Sequence, residues 1–420
     1  MEGKKWSYSA LTECVPPVEV GFFPLDEELG LHAHSISFTP RLHEWLVRLG
    51  TWVPFAQAAT LLEDFAHVRV SRSTARRLTE MAGAEYERVQ TEEVERIEKL
   101  LPPSPQGPAK GLLSVDGAMV PLRGGEWAEV KTMVLGEVDA AGQCGQLSYF
   151  SRMTDADTFG RLALVETQRR GLERAERVGA VMDGAEWQQG FVDYHRPDAV
   201  RVLDFPHAAE RLSGIGNIVW GEGTPTNKQW LSTQCHQLKH EGPAKVLAEL
   251  RLLREAHPNI EVLATNLAYL EKREEQMQYP HFQEEGWPIG SGVVESANKL
   301  VVEARLKGAG MHWERGAVNP MLTLRNVVCN DRWREAWPQM VDRAHQQRRQ
   351  SKQASQQVRE SSTDTMVRRA KQARQVERRQ VDVLCITHPT KAKRTEPWRP
   401  APNHPWRRYK TPLPMQHAKL

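Results

Sequence analysis

The segment GLLSVDGAMVPL, residues 111 to 122, constrains this chain more than any other, because an apolar, β-prone run delivers a carboxylate, Asp116, just ahead of a glycine. A buried strand that ends in a carboxylate needs something cationic to meet it. The device recurs in VGAVMDG, where Val178, Ala180, Val181 and Met182 lead to Asp183 and Gly184. A third carboxylate, Glu295, follows a Gly-rich break in PIGSGVVESANK. Each has an ordinary alternative: Asp-Gly after a strand is commonly a turn, and Glu295 with Lys299 is an i,i+4 helix pair. Two strand-end aspartates and one helical glutamate in this order point instead to a divalent-metal site. Three converging carboxylates remain ionised together only beside a strong cation, and oxygen ligands suit Mg²⁺ or Mn²⁺. A pair of such ions serves in-line displacement at a phosphodiester.

The surrounding periodicity says what holds these residues. LLSVDGAMVPL, WAEVKTMVLGEVD and QLSYFSRM are β-rich runs separated by RGGE and AAGQCG, an antiparallel meander. Thr154 or Asp155 caps a helix through Leu172, VGAVMDG is a fourth strand, GAEWQQGFVDYH a helix and DAVRVLDF a fifth strand. Three meandering strands followed by alternating helix and strand predict an α/β fold with a ribonuclease H-like core, a mixed five-stranded sheet with flanking helices. Pro206 to Glu285 carries no β-rich run and reads as successive helices, a large helical insertion. The next helix opens at Gly290 and Ser291, with Val293, Ala297, Leu300 and Ala304 as its apolar stripe and Glu295, Asn298 and Lys299 opposite.

Upstream, residues 1–36 are rich in turn formers and predict irregular structure. Helical spacing begins after Pro40 with Leu42, Trp45, Leu46 and Leu49 and resumes in PFAQAATLLEDF. In SRSTARRLTEMAG, Ser71 is an N-cap and Gly83 a C′ residue. Ala75, Leu78 and Ala82 share one side of this helix, and Arg72, Ser73, Arg76, Arg77 and Glu80 share the other. The arrangement reads as a helix-turn-helix that enters a DNA groove, or as a plain helical hairpin with a solvated basic face. A charged helix from Glu85 to Leu101 ends at LPPSPQGPAKG, a domain boundary. The chain thus divides into an irregular segment (1–36), a helical helix-turn-helix unit (37–101), a linker (102–110), a first part of the core (111–205), the insertion (206–285), the Glu-bearing part of the core (286–330) and a basic tail (331–420).

The net charge of +3 conceals an asymmetry: residues 341–420 hold 19 Lys and Arg against 6 Asp and Glu, or +13, leaving about −10 on the first 340. The basic end, with Trp398 and Trp406 among arginines, suits a polyanion. A glycosidase built on two of the carboxylates leaves the basic tail and the Arg-faced helix without a purpose. Five scattered cysteines exclude a C-x-x-C zinc ribbon and suit a reducing cytoplasm, with association to the nucleoid. No stretch approaches the roughly 20 apolar residues of a membrane span, and MEGKKWSYSALTEC lacks the apolar core of a signal peptide.

The motifs SVDGAMVPLR, VMDGAEWQ, VLDFPHAAE, GWPIGSGVVESANK, RLKGAGMHW and NHPWRR carry a likeness: from about Pro24 onward the chain resembles bacterial insertion-sequence transposases of the DDE type, of the IS-Kra group. The resemblance implies Asp116, Asp183 and Glu295 as the catalytic and metal-binding triad, with two Mg²⁺ (or Mn²⁺) ions. It implies double-stranded DNA as partner, both terminal inverted repeats and target, and a homo-oligomer on paired ends. It also implies an auxiliary D-x-x-H motif, Asp204 with His207, which either serves the site or fixes the insertion to the core by a hydrogen bond. DNA contacts fall at Arg72, Ser73, Arg76, Arg77, Lys299, Arg305, Lys307 and Trp313, with His312 beside them. Trp313 is open to base stacking or core packing. The expected activity is metal-dependent strand cleavage and transfer, and the alternative is a catalytically silent, transposase-derived DNA-binding protein. The cysteine-bearing segment common at the start of such proteins is represented here by Cys14 alone.

Overall fold

The computed structural model describes residues 39–351 and 353–355. The irregular segment expected over 1–36 and the basic end with Trp398 and Trp406 lie outside the described residues. Three helices come first, α1 (Pro40–Trp52), α2 (Phe55–Ala66) and α3 (Arg72–Leu100). Each start has a local cause. Thr39 accepts from the Leu42 amide at 3.3 Å and Ser71 from the Thr74 amide at 3.0 Å, while Pro54 leads into α2. Gly83 does not stop α3, as its helix-ending chemistry predicts: α3 runs on as one 29-residue helix. Gly83 answers to packing, because a Cβ there would lie 2.2 Å from the Pro320 carbonyl oxygen of a later helix.

The sheet comprises β1 (Lys110–Pro121), β2 (Trp127–Val138), β3 (Cys144–Arg152), β4 (Arg177–Met182) and β5 (Val200–Leu203), in the order β3-β2-β1-β4-β5. β1–β2 and β2–β3 are antiparallel, and β1–β4 and β4–β5 are parallel, so the sheet is mixed and open. Between the strands run α4 (Ala156–Arg169), capped by Asp155 through the Thr158 amide at 2.9 Å, and α5 (Glu186–His195). The strand period of two sorts the side chains by face. Leu113, Val115, Met133 and Leu135 pack with Phe159, Ala163 and Phe191 of α4 and α5. Leu112, Val181 and Val202 turn the other way, into a core with the insertion.

That insertion is helical as expected: α6 (Phe205–Trp220), α7 (Pro225–Glu241), α8 (Pro243–Ala256), α9 (Glu261–Glu271) and α10 (Tyr279–Glu284). The Glu-bearing helix α11 (Gly292–Ala297) passes into a π-helical segment, Asn298–Glu303, and α12 (Arg315–Cys329) follows. A further helix begins at Trp333. A third core joins Leu46, Leu78 and Tyr86 of the first three helices to Val120, Val130, Val302, Met321 and Trp333, so these helices pack directly on the sheet and α12. Fully burying one such side chain contributes about 1.5–3 kcal/mol. Among the described residues no helix is long and apolar enough to cross a membrane.

Candidate functional site

Asp116 and Asp183 reach the same place by register. The parallel pairing of β1 with β4 ends at Ser114 opposite Val181, and each aspartate stands two residues beyond that pair. The two-residue period therefore puts Asp116 on the face of Leu112 and Asp183 on the face of Val181, toward the insertion and α11. The two aspartates differ in backbone. Asp116 does not end its strand as the sequence predicts: β1 continues to Pro121 because β2 goes on pairing, with Asp116 opposite Thr132 and Gly117 opposite Lys131. β4 stops at Met182, so Asp183 does stand at a strand end.

The half-buried Asp116 accepts from the Gly117 amide at 2.7 Å and from Asn298 Nδ2 at 2.8 Å. Burial pushes its carboxyl above the ordinary value; the Asp183 charge adds to this, and the hydrogen bonds and the His207 charge oppose it without cancelling it. Asp183 accepts from the Ala185 amide at 2.8 Å, and its carbonyl takes the Tyr269 hydroxyl. Arg273 Nε donates at 2.9 Å to the Gly184 carbonyl. The insertion thus clamps the loop after β4 through backbone oxygens.

Asp204 is fully buried and caps α6, accepting the His207 amide at 3.2 Å, the His207 imidazole at Nδ1 and the Ser291 amide that opens α11. One carboxylate thereby ties the end of β5 to both the insertion and the Glu-bearing helix. Burial works to raise it, and the bonds from His207 and Ser291 with the His207 charge outweigh that, holding it below the ordinary range. His207 is raised by its hydrogen bond to Asp204, against desolvation, with the charges of Asp204, Asp183 and Glu210 adding. Of the two roles weighed for this motif, the hydrogen-bonded attachment of the insertion is the one this geometry displays.

The α11 stripe differs from the one expected. Val294, Ala297, Val301 and Val302 are buried, whereas Leu300 and Ala304 are exposed. A π segment adds a residue to the turn and shifts the phase of every side chain after it. Arg325, 1% exposed, packs against this segment and its guanidinium donates to the Leu300 and Val301 carbonyls, the latter at 3.2 Å. Asn298, at the start of the π segment, is buried against Asp116, and its Oδ1 has no partner. Glu295, one turn upstream, is exposed, as is Lys299.

The remaining sequence-predicted contacts divide by burial. Arg72, Ser73, Arg76, Arg77, Lys307 and His312 are exposed; Lys307 pairs with Glu303 at 2.7 Å. Trp313 is packed, 6% exposed with Nε1 donating to the Leu306 carbonyl at 3.0 Å, which favours the core reading over base stacking. Arg305 is 1% exposed, donates to the Gly50 carbonyl at 3.0 Å and lies over the Phe55 and Trp313 rings, so it does not extend over the surface.

Tyr269, Arg273 and Arg325 are not singled out by the sequence, and Asn298 is placed there on the Glu295 face without a role. Asn298 alone carried a signal, its position one helical turn after Glu295. The donor set suits a hard cation in kind: two neighbouring carboxylates, one of them raised by burial and further by the other's charge, and an orphaned buried amide oxygen. Among the described residues no three His, Cys, Asp or Glu side chains form a metal-sized group. Compared with protein-family models and with curated proteins, the chain matches none.

Proposed function

We propose that the chain is a DDE-type transposase of the IS-Kra kind, with a ribonuclease H-like core, acting on the terminal inverted repeats of an insertion sequence. The observation that carries this reading is the juxtaposition of Asp116 on β1 and Asp183 just beyond the end of the neighbouring parallel strand β4, with Asn298, in the segment that continues the Glu295 helix, bonded to Asp116. The strand order β3-β2-β1-β4-β5 supports the core assignment. The exposed arginines at the start of α3, after two short helices, support the helix-turn-helix.

Asp116, Asp183 and Glu295, with the free Asn298 Oδ1, would hold Mg²⁺ or Mn²⁺. When bound, a pair of such ions supplies activation of the attacking water or 3′ hydroxyl and stabilisation of the leaving oxygen. The residues of the chain prepare that site. Asn298 orients Asp116, Tyr269 and Arg273 fix the backbone that carries Asp183, and Asp204 anchors the start of the Glu295 helix. The bond to Asp204 raises His207 above the ordinary imidazole value, and its charged form, felt by both Asp116 and Asp183, would offset their repulsion.

The test is strand cleavage and transfer with Mg²⁺ on DNA ends bearing inverted repeats. Asp183→Asn should lose about a thousandfold or more in rate while keeping its affinity for DNA. Wild-type protein that binds the ends and cuts nothing would leave the second reading, a DNA-binding protein without catalysis.

A further inference from the structure

A cleft of about 480 Å³ opens where the first turns of α3, the β1–β2 turn and the loop before α12 meet. Four guanidiniums line it, Arg72, Arg76, Arg123 and Arg305, against two carboxylates, Glu80 and Glu314. Glu314 is already engaged by Arg123 at 2.5 Å. Arg72 and Arg76 make no hydrogen bond or ion pair among the described residues. Arg305 forms part of the wall, held by the Gly50 carbonyl and by two aromatic faces, and its buried Nη2 has no partner. An unpaired donor on a buried guanidinium is costly, and its fixed fork matches the oxygens of a tetrahedral anion. The start of a 29-residue helix adds its partial positive charge.

We propose that this cleft binds one backbone phosphate of DNA, with Arg305 as its preformed wall and Arg76 and Arg123 closing on it from two separate elements. The inference rests on the DNA-binding reading above and sharpens it. The helix start and the RLKGAGMHW loop, two separate stretches of sequence, serve a single phosphate, and Arg305 contributes from inside the protein rather than from its surface.

The experiment uses the full chain and two probes, a fluorescein-labelled 30-base-pair duplex and inorganic phosphate. Arg76→Gln and Arg123→Gln alter exposed side chains, and Arg251→Gln removes an equal charge from α8. Arg76→Gln and Arg123→Gln should each weaken duplex binding about equally on unrelated sequences and reduce the salt slope by about one. The double variant should also lose about one, because both arginines serve the same phosphate, and Arg251→Gln should lose nothing. Wild-type binding that neither Arg76→Gln nor Arg123→Gln weakens, or a double variant whose slope falls by two, overturns the cleft and leaves the DNA-binding reading standing. If wild-type protein does not bind the duplex, that reading fails. Titration with inorganic phosphate then decides the cleft alone: binding lost in the double variant supports it, and no binding overturns it.

Discussion

The chain writes Asp-Gly twice after an apolar run, and the two copies adopt different backbones. Gly117 lies inside a continuing strand, where a Cβ would meet only the movable end of Glu129. Gly184 has φ +84°, and a Cβ there would lie 2.5 Å from Arg273 Nε and 2.6 Å from the Tyr269 hydroxyl. The difference comes from neighbours. β2 carries on past Asp116 and keeps its strand paired, whereas the pairing of β4 with β5 ends at Met182 and the chain must turn under the insertion. One carboxylate is set by a ladder, the other by a clamp.

The sharpest way to break this comparison is to add a methyl group to each glycine. Gly184→Ala should destabilise by about 3 kcal/mol, combining a left-handed backbone with two close contacts. Gly117→Ala should cost under about 1 kcal/mol, since Glu129 can move; urea midpoints measure both, and equal losses would erase the distinction. Next in size, Asn298→Ala removes a donor that favours the charged form of Asp116 and should cost about 1–2 kcal/mol at pH 7. The sign follows from linkage: the folded Asp116 is already raised, so its contribution is fully present below the unfolded value and is lost as pH rises through the folded one. Removing Asn298 raises it further, and the loss measured at pH 7 should shrink toward pH 4.

The smallest effect is expected on the clamped side. His207 is raised, so its contribution is present below the ordinary imidazole value and fades as pH rises through the folded one. His207→Gln should therefore destabilise more at pH 6 than at pH 9. The difference should be about 1 kcal/mol or less, because the imidazole is 37% exposed and screened by solvent. A difference of the opposite sign would mean that His207 is neutral beside Asp204.

What was legible follows range. Ser71 and Asp155 cap helices by bonds to amides three residues on, and such chemistry is written locally. The five strands were readable because alternation and turn residues are local too. Gly83 was misread as a helix end, since nothing nearby says that Pro320 will press against it. The α11 stripe was misplaced because the helix passes into a π turn, whose carbonyls are bonded by Arg325 from another helix.

The amino-acid order by itself determined the elements, their succession and the three acidic positions, for these rest on periodicity and on hydrogen bonds spanning a few residues. Only the tertiary structure decided which face each acidic side chain joins, which glycine turns and which stays extended, and that Asn298 meets Asp116. Those outcomes depend on partners distant along the chain, and closing such contacts is a property of packing that no local pattern encodes.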